Sequence, residues 1–174
     1  MPNEQATLPS RIEMRQHVVT SLKEYWPNTQ HILQEFRVPE RSFVDVQLPL
    51  KLIEISLPEW AGDLGVLGKL LVPRETVDES SPNWETVDWW LAAFLMLEGW
   101  HERSWEARYG SIHSYSFRLK GWDSRAWEHA WVNRIALLLR RWSARLSGSD
   151  ETALHGNRQE LQFLLTHDVD ALKK

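Results

Sequence analysis

The chain has 174 residues and a net charge of −4, which suits one soluble, cytoplasmic domain with a real core. It contains no cysteine, which excludes disulfides, thiolate catalysis and thiolate zinc sites, and its acidic balance argues against general nucleic-acid binding. No stretch reaches the roughly 20 apolar residues of a membrane span, and residues 1–5 lack the basic and apolar segments of a secretory signal.

The first half of the chain predicts one helix followed by short strands. Ser10 and Glu13 form a capping box at the start of a helix over residues 10–26, with Ile12 on its apolar stripe. Alternating apolar residues predict strands over 43–48 and 52–57, and residues 69–72 are a further short strand. Prolines at the strand margins are typical of short or edge strands.

The second half is dominated by apolar and tryptophan-rich segments. Residues 86–100 are apolar on nearly every face, which predicts a central helix. Residues 101–120 have weak periodicity and are expected to form an ordered loop, whereas residues 123–148 are expected to form one amphipathic helix. Residues 147–158 have the composition of a linker. The stripe of the amphipathic helix comprises Trp127, Trp131, Ile135, Leu138, Trp142 and Leu146.

Eleven tryptophans are several times the usual share, and most of them lie between residues 84 and 142. Tryptophan packs into cores, and it also stacks against the apolar faces of sugar rings. Their helical spacing favours the core, and sugar binding stays open as the alternative. The discriminating observation is whether Trp84, Trp89, Trp90, Trp100, Trp105 and Trp122 line an exposed cleft.

Other histidines of the sequence are also candidate metal ligands. His101 and Glu102 begin like a zinc-protease helix, but Trp105 stands where the second histidine ligand is needed. A metal there would lack one ligand. The remaining candidates have no partner at ligand spacing and are expected to be surface or hydrogen-bonded histidines, namely His113, His129 and His155.

The C-terminal motif combines an apolar run with titratable groups. Residues 161–165 predict a buried parallel strand, and His167, Asp168 and Asp170 follow at once. Carboxylates at positions i and i+2 leave a strand on the same side, so one can bind a metal while the other takes a proton from metal-bound water. A charged loop after a strand explains the same spacing equally well.

Residues 163–170, F-L-L-T-H-D-V-D, resemble the first motif of polysaccharide deacetylases of the NodB-homology type. They resemble most the subgroup with T-H-D-V-D and a domain ahead of the barrel, and residues 87–146 match the order of motifs in that domain. The resemblance implies that Asp168 is the catalytic base, that Asp170 is a metal ligand and that His167 lies at the metal. It also implies a divalent metal in the complete enzyme, with zinc the expected ion.

Two departures from the family limit what this chain is expected to do. The family's commoner motif has adjacent aspartates, and its members complete the metal site with two histidines three to five residues apart. Residues 171–174 hold no such pair, and none occurs upstream. Without two imidazoles the carboxylates do not hold a metal in the geometry that activates water, so we expect no bound metal and no deacetylase activity from this chain alone.

The sequence therefore predicts an α+β fold, with strands in residues 43–72 packed on tryptophan-rich helices. Residues 1–158 are expected to form an accessory domain, and residues 159–174 the first strand and motif of a deacetylase barrel. The complete protein would be a hydrolase of N-acetylated sugars in bacterial surface-polysaccharide synthesis. Its expected partners are the carbohydrate substrate and the downstream barrel. Alternatives are a non-catalytic glycan-binding or protein-interaction domain, or a self-contained domain with Asp168 and Asp170 on its surface.

Overall fold

The computed structural model describes residues 9–30, 33, 36–41, 51–78, 80–111 and 123–158. Within this part the fold is mostly helical with a small antiparallel sheet, which confirms the α+β class. No described helix has the length and apolar character to cross a bilayer. The helices are α1 (Arg11–Ser21), α2 (Trp89–Leu97), α3 (Trp100–Tyr109), α4 (Arg125–Glu128), α5 (Trp131–Leu146) and α6 (Glu151–His155), and the strands are β1 (Leu52–Ser56) and β2 (Lys69–Pro73).

Helix α1 begins at the predicted capping box. The Ser10 hydroxyl accepts from the Glu13 amide at 3.3 Å, and the Glu13 carboxylate accepts from the Ser10 amide at 2.8 Å. The helix ends at Ser21, earlier than predicted, and a 3-10 turn over Lys23–Tyr25 follows. The predicted stripe was wrong at Ile12, whose side chain is 79% exposed.

Strands β1 and β2 pair antiparallel, with Leu52 opposite Pro73. Ile55 lies opposite Leu70, and both are buried. Proline sits at the end of β2, where the loss of its amide donor does least harm to the ladder. The two described strands match the predicted ones at 52–57 and 69–72, and the predicted strand at 43–48 lies outside the described residues.

Helix α2 is the central helix of the domain, as predicted. The buried Asp88 carboxylate accepts from the Leu91 amide at 3.0 Å and so caps the helix. Every residue from 89 to 95 is buried, because α2 packs against α1, α5 and β2. A helix that is apolar all round is stable only in such a surrounded position.

Helix α3 occupies part of the segment that was expected to be a loop, so that prediction was wrong for residues 101–109. Gly99 adopts φ +60°, a left-handed conformation that reverses the chain between α2 and α3. Trp105 is buried, and its ring lies 4.3 Å from the Tyr109 ring. Burial of this tryptophan, rather than an amphipathic stripe, therefore accompanies the formation of α3.

The helix predicted over residues 123–148 is two helices, α4 and α5. His129 is extended, with φ −145° and ψ 157°, and interrupts the helical backbone. The Trp131 indole donates to the Arg125 carbonyl oxygen at 2.6 Å across the break. Consequently the stripe holds only within α5, where Ile135 and Leu138 are buried, while Trp127 in α4 is 46% exposed.

The segment expected to be a linker contains helix α6. Asp150 accepts hydrogen bonds from the amides of Thr152 and Ala153 at 2.8 and 3.1 Å, which caps the helix. His155 at its end is fully buried. Residues 151–156 therefore belong to the packed domain.

Candidate functional site

The residues predicted to carry the metal chemistry, His167, Asp168 and Asp170, lie outside the described residues. Their roles stay predictions. In the part of the chain that the structure describes, no three or more His, Asp or Glu side chains come together in a way that could hold a metal ion.

The tryptophans divide between the core and the surface. Trp89, Trp90 and Trp105 are buried, whereas Trp84 and Trp100 are half-buried; Trp122 lies outside the described residues. The Trp90 indole donates to the Phe36 carbonyl oxygen at 3.0 Å. Three of the five described side chains therefore lie in the core, in agreement with the structural interpretation of their spacing.

Four half-buried rings form a surface group, the aromatic cluster of Phe36, Trp60, Trp84 and Trp142. Trp142 lies at its centre, with ring centroids 5.4 Å from Phe36 and 5.1 Å from Trp84. Trp60 lies 5.5 Å from Trp84 and carries the Arg145 guanidinium 4.9 Å above its ring. The ring pairs are all edge-to-face, an arrangement that stabilises the cluster itself.

A cavity of about 150 Å³ lies between the end of α2, the start of α3, and the α4–α5 break. We call it the α2–α5 cavity. Leu52 and Pro73 from the two strands and Leu95 from α2 contribute buried apolar walls. No Ser, Thr or Cys lines it among the described residues. Its remaining lining residues are Met96, His101, Glu102, Ala126, His129, Ala130, Trp131 and Val132.

Three titratable side chains reach this cavity. His101 is 8% exposed, and His129 is exposed, with its ring 5.0 Å from the Trp131 ring. Glu102 is half-buried, and its carboxylate accepts from the Trp127 indole at 2.8 Å. Glu102 is also the third residue of α3, where the helix dipole favours a negative charge. The cavity therefore has an apolar wall and one polar side.

The charges beside the cavity are paired. Arg125 donates to Asp123 at 2.7 Å and to Glu54 at 3.2 Å. The hydrogen bond from Arg125 lowers the pKa of Asp123, with a smaller contribution from the charge of His101. The same hydrogen bond, to Asp123, raises the pKa of Arg125. Asp123 and Arg125 thus stay ionised and fix α4 against β1.

Sequence reasoning did not find this site. His101 and Glu102 were considered only as a zinc-protease start, and His129 was expected at the surface. The two segments meet because the chain reverses at Gly99 and breaks at His129. Neither of these two backbone features leaves a periodic signal in the sequence.

A second polar group, the His155 network, lies inside the domain. His155 Nε2 lies 2.9 Å from Ser143 Oγ and 3.0 Å from the Arg140 carbonyl oxygen, and Nδ1 contacts the Thr29 hydroxyl. Ser143 is 5% exposed and donates to the Arg140 carbonyl oxygen at 2.9 Å. Although serine and histidine are adjacent, the hydroxyl is closed off from substrate, so this network is structural.

Burial, followed by the nearby charge of Arg140, lowers the pKa of His155. The contacts suit a neutral ring, in which Nε2–H donates and Nδ1 accepts from the Thr29 hydroxyl. The prediction of a hydrogen-bonded histidine is confirmed here, and His129 is exposed as expected. His113 lies outside the described residues.

Comparisons with protein-family models, with curated proteins and with solved structures find no match to this chain.

Proposed function

We propose that this chain is the N-terminal part of a metal-dependent polysaccharide deacetylase, a hydrolase that removes acetyl groups from N-acetylated sugars in bacterial surface-polysaccharide synthesis. The observation that carries the proposal is the sequence of residues 163–170, which resembles the first motif of the NodB-homology deacetylases. Residues 1–158 are the accessory domain in front of the barrel. The proposal includes a cytoplasmic location, a carbohydrate substrate and contact with a downstream barrel domain.

In this proposal Asp170 and His167 are ligands of a divalent metal, expected to be zinc, and Asp168 is the general base. A bound metal of this kind polarises the acetamide carbonyl and lowers the pKa of water. A catalytic zinc site needs three protein ligands and an open position, whereas Asp170 and His167 supply two. The donor set is therefore incomplete within residues 1–174, and we expect no acetate release by these residues alone.

The described domain supports a scaffold role. Its central helix α2 is buried on all sides, and buried tryptophans on α2 and α3 pack the interior. The last described residues are held by Arg140, which donates to the carbonyl oxygens of Glu151 and Gly156. A domain of this kind can present the following strand in a defined position.

The encoded reading frame beyond Lys174 tests the family assignment directly. We expect it to continue for about 150 residues or more, the size of a barrel domain, and to contain two histidines separated by three to five residues. A stop codon after Lys174 would contradict the proposal. A continuation without such a histidine pair would contradict it equally.

A non-catalytic glycan-binding domain is the second candidate, favoured by the aromatic cluster and the polar residues beside it. Arg141 pairs with Asp63 at 2.5 Å next to Trp60, whose carbonyl oxygen accepts from Arg141 at 3.1 Å. Acetylated and deacetylated oligosaccharides should then bind in titration calorimetry, and Trp84→Ala should weaken binding at least about tenfold, the contribution of one ring contact. Unchanged binding by this variant would exclude the cluster as a sugar site.

A further inference from the structure

The size of the α2–α5 cavity limits what can occupy it. Its volume is about 150 Å³, similar to an engineered protein cavity of roughly 150 Å³ that accepts benzene. One six-membered ring therefore fits this space without rearrangement. The buried side chains of Leu52 and Leu95 and the flat ring of Trp131 line this space, so an apolar ring is favoured over a polyhydroxylated one.

The polar side of the cavity selects the substituent on that ring. A carboxylate accepts hydrogen bonds and donates none, and that of Glu102 lies in the first turn of α3. Trp127 supplies one neutral donor to this carboxylate, at 2.8 Å. A ligand group that approaches Glu102 must therefore bring a donor, and a charged donor forms the stronger bond.

Among the described charged groups beside the cavity, Glu102 is the one whose charge a ligand can balance. The carboxylates of Glu54 and Asp123 are both paired with Arg125, and Lys69 pairs with Glu54 at 3.1 Å. These four groups sum to zero charge. Among the described residues, Glu102 has no such ion pair, and its negative charge attracts a cation to this end of the cavity.

We propose that the α2–α5 cavity is a binding site for a small organic amine, a single apolar ring that carries a protonated amino group. The ring lies between Leu95 and Trp131, and the ammonium donates to the carboxylate of Glu102. This site is independent of the proposed deacetylase chemistry and holds for either candidate function.

The test uses benzylamine, with benzyl alcohol as the neutral probe of the same shape, titrated into the purified chain at neutral pH. Binding is followed through the indole N–H signals of Trp127 and Trp131 in ¹H–¹⁵N NMR spectra. We expect benzylamine to bind with a Kd on the order of millimolar, as for other ligands of this size, and benzyl alcohol to bind at least about tenfold more weakly. Equal binding of the two probes, or none by benzylamine, would overturn the proposal.

The substitution Glu102→Gln removes the charge and keeps an acceptor for Trp127. It should abolish the preference for benzylamine over benzyl alcohol, whereas Glu24→Gln, an exposed site that does not line the cavity, should preserve it. If Glu102→Gln keeps the preference, the proposal is wrong. Glutamine at 102 is a small change, and the dispersion of the NMR spectrum verifies that each variant is folded.

Two further experiments test where the probes bind and whether the site prefers an apolar ring. Ala130→Phe places a bulky side chain at the exposed edge of the cavity and should eliminate binding of both probes; retained binding would locate them elsewhere. Glucosamine, an amine on a polyhydroxylated ring, should bind more weakly than benzylamine. Tighter binding of glucosamine would overturn the assignment of an apolar ring.

Discussion

The guanidinium of Arg140 donates a hydrogen bond to the Gly156 carbonyl oxygen at 2.6 Å. The same side chain donates to the Glu151 carbonyl oxygen at 3.0 Å and to that of Tyr25. It is 2% exposed. A single buried arginine in α5 thus joins both ends of α6 to the turn that follows α1.

Arg140→Met should destabilise the domain by about 3 kcal/mol, because it removes a buried guanidinium that donates to three part-buried carbonyl oxygens. Urea unfolding followed by circular dichroism measures this free energy. Arg103→Met is the matched control, since Arg103 is 65% exposed and pairs with Glu98 at the surface; its cost should stay under about 1 kcal/mol. Equal costs for the two variants would show that Arg140 does not hold α6.

His155 should make the free energy of unfolding fall as the pH drops below about 6.5, the pKa of an unperturbed histidine. Its pKa is lowered in the folded domain by burial and by Arg140, so the unfolded chain binds the proton more readily. The contribution of His155 to the free energy of unfolding is then fully present above the unfolded pKa of about 6.5. It is lost as the pH falls toward the lower pKa of the folded state. The carboxylates with lowered pKa, such as Asp63 and Asp123, act at more acidic pH.

Urea midpoints measured at intervals between pH 5 and 8 test this behaviour. His155→Gln keeps polar atoms in the network and removes the titrating ring, so it should flatten the profile in this window. His17→Gln, at a half-exposed ring paired with Glu98, provides the comparison for a surface histidine. A profile for His155→Gln that parallels the parent protein would assign the pH dependence to other groups.

Gly156→Ala should cost more stability than Gly148→Ala. Both glycines have positive φ, +84° and +65°, so each alanine incurs the strain of a left-handed backbone, roughly 1 kcal/mol. An added Cβ at 156 would also lie 2.7 Å from the Asn28 side-chain nitrogen, whereas nothing lies within 4 Å at 148. We expect an additional loss of about 1–2 kcal/mol at 156, measured by thermal unfolding. Equal losses would mean that the 155–156 segment is not packed on the Asn28 turn.

Asp88→Ala should destabilise the domain by about 3 kcal/mol. Asp88 is fully buried, pairs with Arg11 at 2.5 Å and accepts from the Arg41 amide at 3.0 Å, so its loss removes a helix cap, a hydrogen bond and an ion pair together. Asp88→Asn retains a capping oxygen and should therefore lose less stability than Asp88→Ala. Asp78→Ala, at an exposed position, should cost under about 1 kcal/mol. Similar chemical-denaturation midpoints for all three would contradict a central role for Asp88.

Local chemistry explains which elements could be predicted from the sequence. The capping box of Ser10, the alternation in β1 and the unbroken apolar run of α2 are signals carried by neighbouring residues. Helix α3 gave no such signal because its sequence is polar, and its placement depends on the left-handed Gly99 and the burial of Trp105. The apolar repeat also continues through His129, so the sequence predicts one helix where the structure has α4 and α5.

The candidate sites also divide into one that neighbouring residues indicate and one that depends on tertiary packing. The motif of His167, Asp168 and Asp170 is contiguous and was therefore visible in the sequence, although it lies outside the described residues and its roles stay predictions. The α2–α5 cavity brings together Glu102 and His129 from segments that no spacing rule connects. Its existence depends on the left-handed Gly99 and the extended His129, and the local sequence pattern indicates neither.

Metal-dependent release of acetate by the product of the complete reading frame that contains these residues tests the central claim most directly. With zinc and an N-acetylated oligosaccharide, we predict activity that Asp168→Asn lowers at least about 100-fold, the contribution of a general base. Residues 1–174 alone should release none. Absence of activity in the complete product, or full activity in its Asp168→Asn variant, would contradict the account.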